Sequence, residues 1–443
     1  MEIIREIFSY ISGLGNYVMI PIMITLVGLI VRLKPVNAIR AGMTVGIGLI
    51  GMNMILNLLW TYISPVASTL VDMSNINLTT MDIGWTAAAA FSTVIGSFII
   101  PFILLVNILM LVTRCTRTIN IDIWNYWYYA FSGATVYILT NNYICAFVAA
   151  AAHCCISLLI ADRTAKTMQE ALGVPGISIP QGFAVTSVPI FLALDKFYDL
   201  IHLPKGNAGS DDSQMAEKFG WLKTLSEPMF LGAIIGIILG AIARNDVKTC
   251  LTCGMAMAAL MYLLPRMVKV IMEGLLPISN QARDFMQKKF HGEEFYIGMD
   301  SAIMLGIPVT MQVALVLIPI TLLLSAILPY NQTLPVGDLA STAYFVAMAT
   351  PIHKNSFLRT LISGTIMMGI VLLLATYFAP MITSFAMTGA LEIPEGAVQV
   401  TALSAGAWFS WVFCLLAKFR LLGSAIIVAV VGALIAACKK IAK

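Results

Sequence analysis

Residues Ile123 to Ala161 read IWNYWYYAFSGATVYILTNNYICAFVAAAAHCCISLLIA, 39 consecutive positions without Asp, Glu, Lys or Arg. A helix needs about 20 apolar residues to cross the roughly 30 Å hydrocarbon layer of a bilayer. This run therefore holds two crossings, expected at about 125–140 and 143–161. Its apolar residues run together instead of alternating, which excludes the strands of a membrane barrel. Lipid-facing backbone must satisfy its own hydrogen bonds, so the spans are helices.

The same pattern extends in both directions. Uncharged runs cover 8–31, 41–71 and 83–113 in the first half, and 301–337 and 360–391 in the second. Shorter runs lie at 228–243, 249–265, 396–417 and 421–438. Of 443 residues 59% are hydrophobic and 11% charged, and the mean hydropathy is +0.90. A soluble domain carries roughly 25% charge, so a water-covered surface is excluded, as is a solvated disordered chain. The net charge of +4 is not gathered into a basic stripe, so nucleic acid is excluded as a partner. The first apolar run is too long for a cleaved signal peptide. The eight cysteines lie mostly inside apolar runs and read as small buried hydrophobes, Cys250-x-x-Cys253 included.

Basic residues mark cytoplasmic connectors. The connector 32–40 holds three basic residues and no acid, whereas 64–82 holds two acids and no base. That places the N-terminus outside. The basic segments 196–223 and 266–289 and the tail with Lys439, Lys440 and Lys443 are then cytoplasmic.

An internal repeat is present. Ile39-Arg40-x-x-x-Thr44-x-Gly46 matches Val247-Lys248-x-x-x-Thr252-x-Gly254, Ile179-Pro180-Gln181-Gly182 matches Ile393-Pro394-Glu395-Gly396, and Ser132-Gly133 matches Ser363-Gly364. The base-free segment 64–82 faces a counterpart, 266–294, with five basic residues, so matched positions lie on opposite sides of the membrane. The expected fold is all-α and polytopic, with about eleven transmembrane helices in two inverted five-helix repeats. The first repeat is expected at 1–195, a cytoplasmic linker at 196–225, the second repeat at 226–417, and a terminal helix and basic tail at 418–443. Segments 84–97 and 296–310 are too short to cross and carry Gly and polar residues, as do 175–195 and 394–415 after the repeated Ile-Pro-x-Gly. Non-helical backbone at membrane depth survives only inside protein or against a wet cavity. Paired interrupted segments in inverted halves are the mark of transporters that bind substrate between the repeats.

Polar groups in these segments are the candidate ligands. Asp82, Trp85 and Thr86 open the first interrupted segment, and Asp300 and Ser301 the second. Each holds an acid beside a Gly and an aromatic, which suits a polyol or sugar: rings pack on C–H faces and carboxylates accept from hydroxyls. An N-cap is the alternative for Asp82, an interfacial belt residue for Trp85. Gln181 and Glu395 follow helix-breaking prolines. The Gln181 amide suits neighbouring hydroxyls, with a helix cap as the alternative. His353, Lys354 and Asn355 precede a span, with Asp122 and Asn125 as approximate repeat mates. His153 reads as a buried interhelical hydrogen bonder. The methionines lack metal-ligand spacing, and no metal or other cofactor is expected. Without a Walker loop the chain hydrolyses no ATP.

Several stretches carry a family resemblance: Val112-Thr113-Arg114-Cys115-Thr116-Arg117 running into 120–125, Pro265 to Lys269, Glu294 to Asp300, Leu334 to Ala340, and Phe357 to Gly364. In these the chain resembles the IIC components of galactitol-type bacterial phosphotransferase systems and, more remotely, the ascorbate-type IIC proteins. The resemblance implies a multi-pass protein of the bacterial cytoplasmic membrane that carries a polyol inward. A separate IIB subunit, recharged by IIA, would phosphorylate it from a phosphocysteine. The chain itself would hold no phosphorylated catalytic residue. It also implies a homodimer in which a mobile core slides against a scaffold in an elevator motion. Family ligand positions map onto Gln181 and Asp300, and the expected polyol site is Trp85, Asn125, Gln181, Asp300 and His353, flanked by Asp82, Thr86, Ser301, Asn355 and Glu395. The chain departs from the family pattern at Thr86, Gln181 and Ile307, which leaves the alditol open. The rival reading is a cation-coupled transporter that releases unmodified substrate.

Overall fold

The computed structural model describes residues 16–73, 78, 80–83, 90, 93–120, 122, 124–205, 228–289, 295–335, 338, 342–385 and 398–441. The first half contains helices α1 (Asn16–Ile30), α2 (Pro35–Met73), α3 (Val94–Val112), α4 (Trp124–Thr140), α5 (Tyr143–Leu172) and α6 (Ala184–Leu200), with strands β1 (Thr80–Asp82), β2 (Thr118–Asn120) and β3 (Ile177–Ser178). The second half contains α7 (Pro228–Ile242), α8 (Val247–Lys289), α9 (Pro308–Ile327), two short helices α10 (Thr342–Val346) and α11 (Ala349–Ile352), α12 (Phe357–Phe385), α13 (Trp408–Ala417) and α14 (Arg420–Ile441). Its strands are β4 (Tyr296–Gly298), β5 (Thr333–Leu334) and β6 (Gln399–Thr401), with 3-10 turns at Ser301–Gly306 and Leu403–Ala405. Among the described residues four helices, α5, α9, α12 and α14, are each long and apolar enough to cross a membrane unaided. The chain is a polytopic α-helical membrane protein.

Local chemistry sets the helix ends in the opening run. Thr140-Asn141-Asn142 breaks it where two crossings require a turn: Asn141 adopts φ 49° and Asn142 Oδ1 accepts from the Ile144 and Cys145 N–H groups at 2.8 and 3.3 Å. The α5 helix stops at Gly173, whose φ of 69° is the left-handed cap that glycine favours.

Helices α1, α2, α7 and α8 form one packed unit. Two hairpins, α1–α2 and α7–α8, lie side by side with α2 antiparallel to α8. Glycines let the backbones approach. A Cβ on Gly48 would stand 2.6 Å from Ile271, and one on Gly274 would stand 2.7 Å from Val45 and 2.8 Å from the Ala41 carbonyl. At one end of this seam Gln281 donates to the Val31 carbonyl, 3.3 Å, and at the other Cys253 donates to the Tyr62 carbonyl, 3.5 Å. The α1–α2 turn therefore lies beside the C-terminal part of α8, and the α7–α8 turn beside the C-terminal part of α2. Thr44 and Thr252, matched in the sequence, make the same bond back one turn, to the carbonyls of Arg40 and Lys248 at 2.9 and 2.8 Å.

The basic stretch 266–289 is not a connector. It continues α8 without a break, because its apolar residues fall at helical spacing: Ile271, Leu275 and Ile278 are buried against α1 and α2. Charge marked the exposed face of a helix there, not a loop. Most of the segment 196–223, from residue 206 on, lies outside the described residues.

The short strands form two parallel three-stranded sheets, in the orders β2-β4-β3 and β5-β1-β6. In each, the central strand comes from one half and the flanking strands from the other. Ile297 pairs with Ile119 and Ile177, and Met81 pairs with Leu334 and Val400. Ile177 and Val400 take like places in the two sheets, so the turn Ile179–Gly182 follows β3 as Ala402–Ala405 follows β6, and residues 393–396 lie outside the described residues. Asp122 follows β2 and Asp338 follows β5, whereas His353 ends α11. Ser132 is in α4 and Ser363 in α12. Strands of two or three residues carry too little pattern to be read beforehand.

Overfilling the glycine seam tests this packing. Gly274→Val is expected to lower the stability of the purified protein in detergent by about 1–3 kcal/mol, read as a fall in thermal midpoint, while Gly369→Val, at a position where an added Cβ meets nothing within 4 Å, leaves it nearly unchanged.

Candidate functional site

The chain segments that leave the two sheets carry most of the polar side chains singled out by the sequence. Around the first sheet, Asp122 and Asn125 follow β2, Gln181 follows β3, and Asp300 and Ser301 follow β4. Gly298 allows this convergence: a Cβ there would lie 2.8 Å from the Pro180 ring and 3.0 Å from Thr118. The Asp122 carboxylate accepts from the Asp300 N–H at 3.2 Å, and Asp300 Oδ1 accepts from the Ala302 N–H at 2.6 Å, capping the 3-10 turn. Gln181 Oε1 accepts from the Ala184 N–H at 2.5 Å, so the capping alternative is realised at one end of that amide. Asn125 donates to Asn120 Oδ1 at 2.8 Å, but its own Oδ1 is buried without a hydrogen-bond partner. The Ser301 hydroxyl is likewise buried and unpartnered.

The second sheet bears a matching cluster. Asp82 ends β1, and its Oδ2 accepts from the Asp338 N–H at 2.8 Å. The Asp338 carboxylate accepts in turn from the Ser404 N–H at 3.0 Å. Here too hydroxyls are orphaned: Thr80 Oγ1 and Ser404 Oγ are buried with no partner. A buried polar atom without a partner costs about 1–3 kcal/mol. Among the described residues such atoms also occur at Ser157, Thr321, Asn355 and Thr360. Asn125, Ser301 and Ser404, however, lie past the sheet ends beside carboxylates and Thr80 opens β1, which makes this the candidate place for a polar ligand.

Tyr128, which the sequence reading missed, joins the clusters. It sits half-buried on α4, and its hydroxyl lies in reach of Asp300, Asp338, Tyr344 and the Gln181 amide. Its ring packs on Phe183 with centroids 5.5 Å apart, and Gly182 must be bare because a Cβ would come within 2.7 Å of the Tyr128 Cβ. Asp338 was missed as well. The recurrence of a Thr with an Asp four or five residues on, Thr118 to Asp122 and Thr333 to Asp338, was the available signal.

The turn carrying Gln181 is held by its carbonyls. Tyr129 donates to Pro180 O at 2.5 Å, and His153 Nε2 lies 2.8 Å from Gly182 O. A carbonyl only accepts, so His153 carries its proton on Nε2. Nδ1 then accepts from the Ser132 hydroxyl at 2.7 Å, which accepts from Ser410 at 2.7 Å. His153 is the buried interhelical hydrogen bonder that its apolar setting suggested.

His353 belongs to a different network. Its Nδ1 meets Asp195 Oδ1 at 2.9 Å and its Nε2 the Ser363 hydroxyl at 2.8 Å. Beside it the fully buried Arg359 binds Asp195 and Asp199 at 2.9 and 2.8 Å and donates to the carbonyls of Pro204, 3.1 Å, and Leu203. This clasp ties the end of α6 to α12. The Lys205 ammonium, 2.6 Å away, and then the Arg359 guanidinium hold the Asp199 carboxyl below the usual carboxylate range. Asn355 sits nearby at φ 60° with its Oδ1 unpartnered. Trp85, Thr86 and Glu395 lie outside the described residues. Among the described residues no three His, Cys, Asp or Glu side chains gather as a metal site would need, and all eight cysteines are free.

Arg359→Met should destabilise the protein in detergent by about 2 kcal/mol or more, less than the roughly 3–5 of a fully buried pair because Asp195 and Asp199 keep some water. In the unaltered protein the Asp199 contribution, present above the ordinary carboxylate pKa, is lost as pH falls through the lowered one. The stability gap between the two proteins, measured by thermal unfolding, therefore narrows on acidification.

Comparison with known proteins gives the family. Residues 10–396 match the family described as the PTS system sugar-specific permease component, EIIC-GAT. The chain is 41% identical over 435 residues to the "Putative permease IIC component" of Escherichia coli (strain K12), covering 98% of this chain and 99% of that protein. It is 36% identical over 410 residues to the "PTS system galactitol-specific EIIC component" of the same strain, covering 92% and 89%, and to the protein of that name in Escherichia coli O157:H7 to the same extent. On the strength of a match spanning most of its length, the chain belongs to the EIIC-GAT family of sugar-specific permease components of the phosphotransferase system.

Proposed function

We propose that the chain is the membrane-embedded, substrate-translocating IIC subunit of a phosphotransferase system for an alditol, galactitol or a close relative, in the bacterial cytoplasmic membrane. The observation that carries this reading is the set of orphaned buried oxygens at the sheet ends, Asn125 Oδ1, Ser301 Oγ, Ser404 Oγ and Thr80 Oγ1, gathered beside carboxylates and a tyrosine. Such a set exchanges hydrogen bonds with neighbouring hydroxyls and offers no positive charge to an anionic substrate. The galactitol-specific name of a relative 36% identical supports an alditol.

Asn125, Gln181 and Asp300 bind the substrate in this reading, with Asp82 and Ser301 beside them and Trp85, Thr86 and Glu395 as further ligands. His353 and Asn355 serve the same translocating core from the clasp. The carried alditol is presented inward to a phosphocysteine on IIB, recharged by IIA, and Asp300 accepts the proton of the attacked hydroxyl. The two halves are inverted repeats, a reading supported by hairpin turns at opposite ends of the α2–α8 seam and by the exchange of central strands. The unit α1, α2, α7 and α8 is the scaffold of a homodimer, and the remainder is the core that moves as an elevator. The basic connector 32–40 and the end of α8 lie on one side, assigned to the cytoplasm, with the N-terminus outside and the C-terminal tail inside. Family membership disfavours a cation-coupled carrier that releases unmodified substrate.

Vesicles containing the chain are expected to accumulate galactitol phosphate only when phosphorylated IIB is supplied on the cytoplasmic face. Free galactitol gathered against a gradient on a proton or sodium pulse, without IIB, refutes the reading. Asp300→Asn should weaken galactitol binding about tenfold, the worth of one charge-assisted bond, measured by calorimetry on protein whose elution in detergent is unchanged.

A further inference from the structure

The two polar clusters are built alike, though not residue for residue. Each has an aspartate at or just past its central strand, Asp82 at the end of β1 and Asp300 two residues past β4, and another after a flanking strand, Asp338 or Asp122. Each follows the third strand with a small polar turn, Gln181 or Ser404. Each also keeps buried oxygens without partners, Asn125 Oδ1 and Ser301 Oγ around one sheet, Ser404 Oγ and Thr80 Oγ1 around the other. Asp82 and Asp338 alone would be only an acidic pair. Ser404, about nine-tenths buried, has its N–H on the Asp338 carboxylate and its hydroxyl unspent, which is a demand for a ligand and not for a counter-ion.

The clusters are not remote from each other. The Tyr128 hydroxyl lies within electrostatic reach of both Asp300 and Asp338, and it shares a hydrogen bond with the Gln181 side chain. Phe183 meets Tyr128 at a tilt and Phe345 edge to face, with centroids 5.5 and 4.8 Å away, so the three rings make one apolar surface. Polar ends and an aromatic wall suit a chain molecule with C–H groups along its length and hydroxyls at both tips.

We infer that the binding site is two-ended: Asp338 and Ser404 bind one terminal hydroxyl of an open-chain alditol, Asp300, Asn125 and Ser301 bind the other, and Tyr128 spans the middle. The inference rests on the alditol reading above and narrows it, since an aldose in its pyranose ring has only one primary hydroxyl to offer. It adds Tyr128, Asp338 and Ser404 as specificity-determining residues. One end presents its hydroxyl for phosphorylation and the other anchors the chain.

The experiment uses the unaltered full-length protein in detergent with galactitol and its two mirror-image 1-deoxy forms, each lacking one of the two terminal hydroxyls. A two-ended site binds both deoxy forms more weakly than galactitol, each by about 2- to 12-fold, the worth of one hydrogen bond. A site that reads one end only binds one of the pair as tightly as galactitol, and that result overturns the inference. Ser404→Ala supplies a second arm: it should weaken galactitol but weaken no further the deoxy form that already lacks the hydroxyl at that end. Equal losses for all three ligands would also overturn it. If the unaltered protein binds no alditol at all, the alditol reading itself fails, a result distinct from either outcome.

Discussion

A backbone that stops being helical inside a membrane has no water to satisfy its N–H and C=O groups. Every other feature of this protein follows from how it meets that demand. The chain breaks helix before and after its interrupted segments, and each break is closed by strands from the opposite half. Three residues of parallel pairing suffice because the strands are buried on both sides, as parallel strands require. Side chains satisfy the groups that remain. Asn107 accepts from the Asn120 N–H and donates to the Thr118 carbonyl at 3.0 and 2.9 Å, and Asp162 braces Thr116 and Thr118. Some buried polar groups are still left over, and those at Asn125, Ser301 and Ser404 lie where the chain leaves the sheets, whereas Ser157, Thr321, Asn355 and Thr360 lie elsewhere.

Much of this was legible beforehand. The expected 125–140 agrees with α4 to a residue and the expected start at 143 with that of α5, because a pair of asparagines leaves little choice of turn, but α5 runs on past 161 to Leu172. The interrupted segment at 296–310 was readable from glycine and polar residues in an otherwise apolar stretch, while most of 84–97 lies outside the described residues. Asn125, Gln181, Asp300 and Ser301 do converge, since each adjoins a break in a helix. What could not be read was the pairing across halves. Contacts between residues 178 and 256 positions apart leave no local periodicity, so Ser404 gave no signal, Asp338 only the Thr–Asp recurrence, and nothing in the sequence tied His353 to Asp195. The α8 extension was misread for another reason: basic residues signal a side of the membrane, and an amphipathic helix can carry them there without ending.

Neutral and charged networks divide the work. The Ser410, Ser132, His153 chain uses uncharged groups in the interior, where an unpaired charge would be expensive. The Arg359 clasp sits at the rim, where Asp195 and Asp199 retain contact with water and full charges are tolerable. The first fixes the turn that holds Gln181, and the second fixes where the core ends and the connecting segment begins.

The exchange of central strands also governs how such a chain can be made. While the ribosome has delivered only the first half, β2 and β3 face a gap that β4 alone can fill, and β1 has neither neighbour. Those edges must wait, either in the protected environment of the insertion machinery or against provisional contacts, until their partners in the second half emerge. A nascent first half is thus an obligate dependent of the second, and quality control has a sharply defined species to recognise.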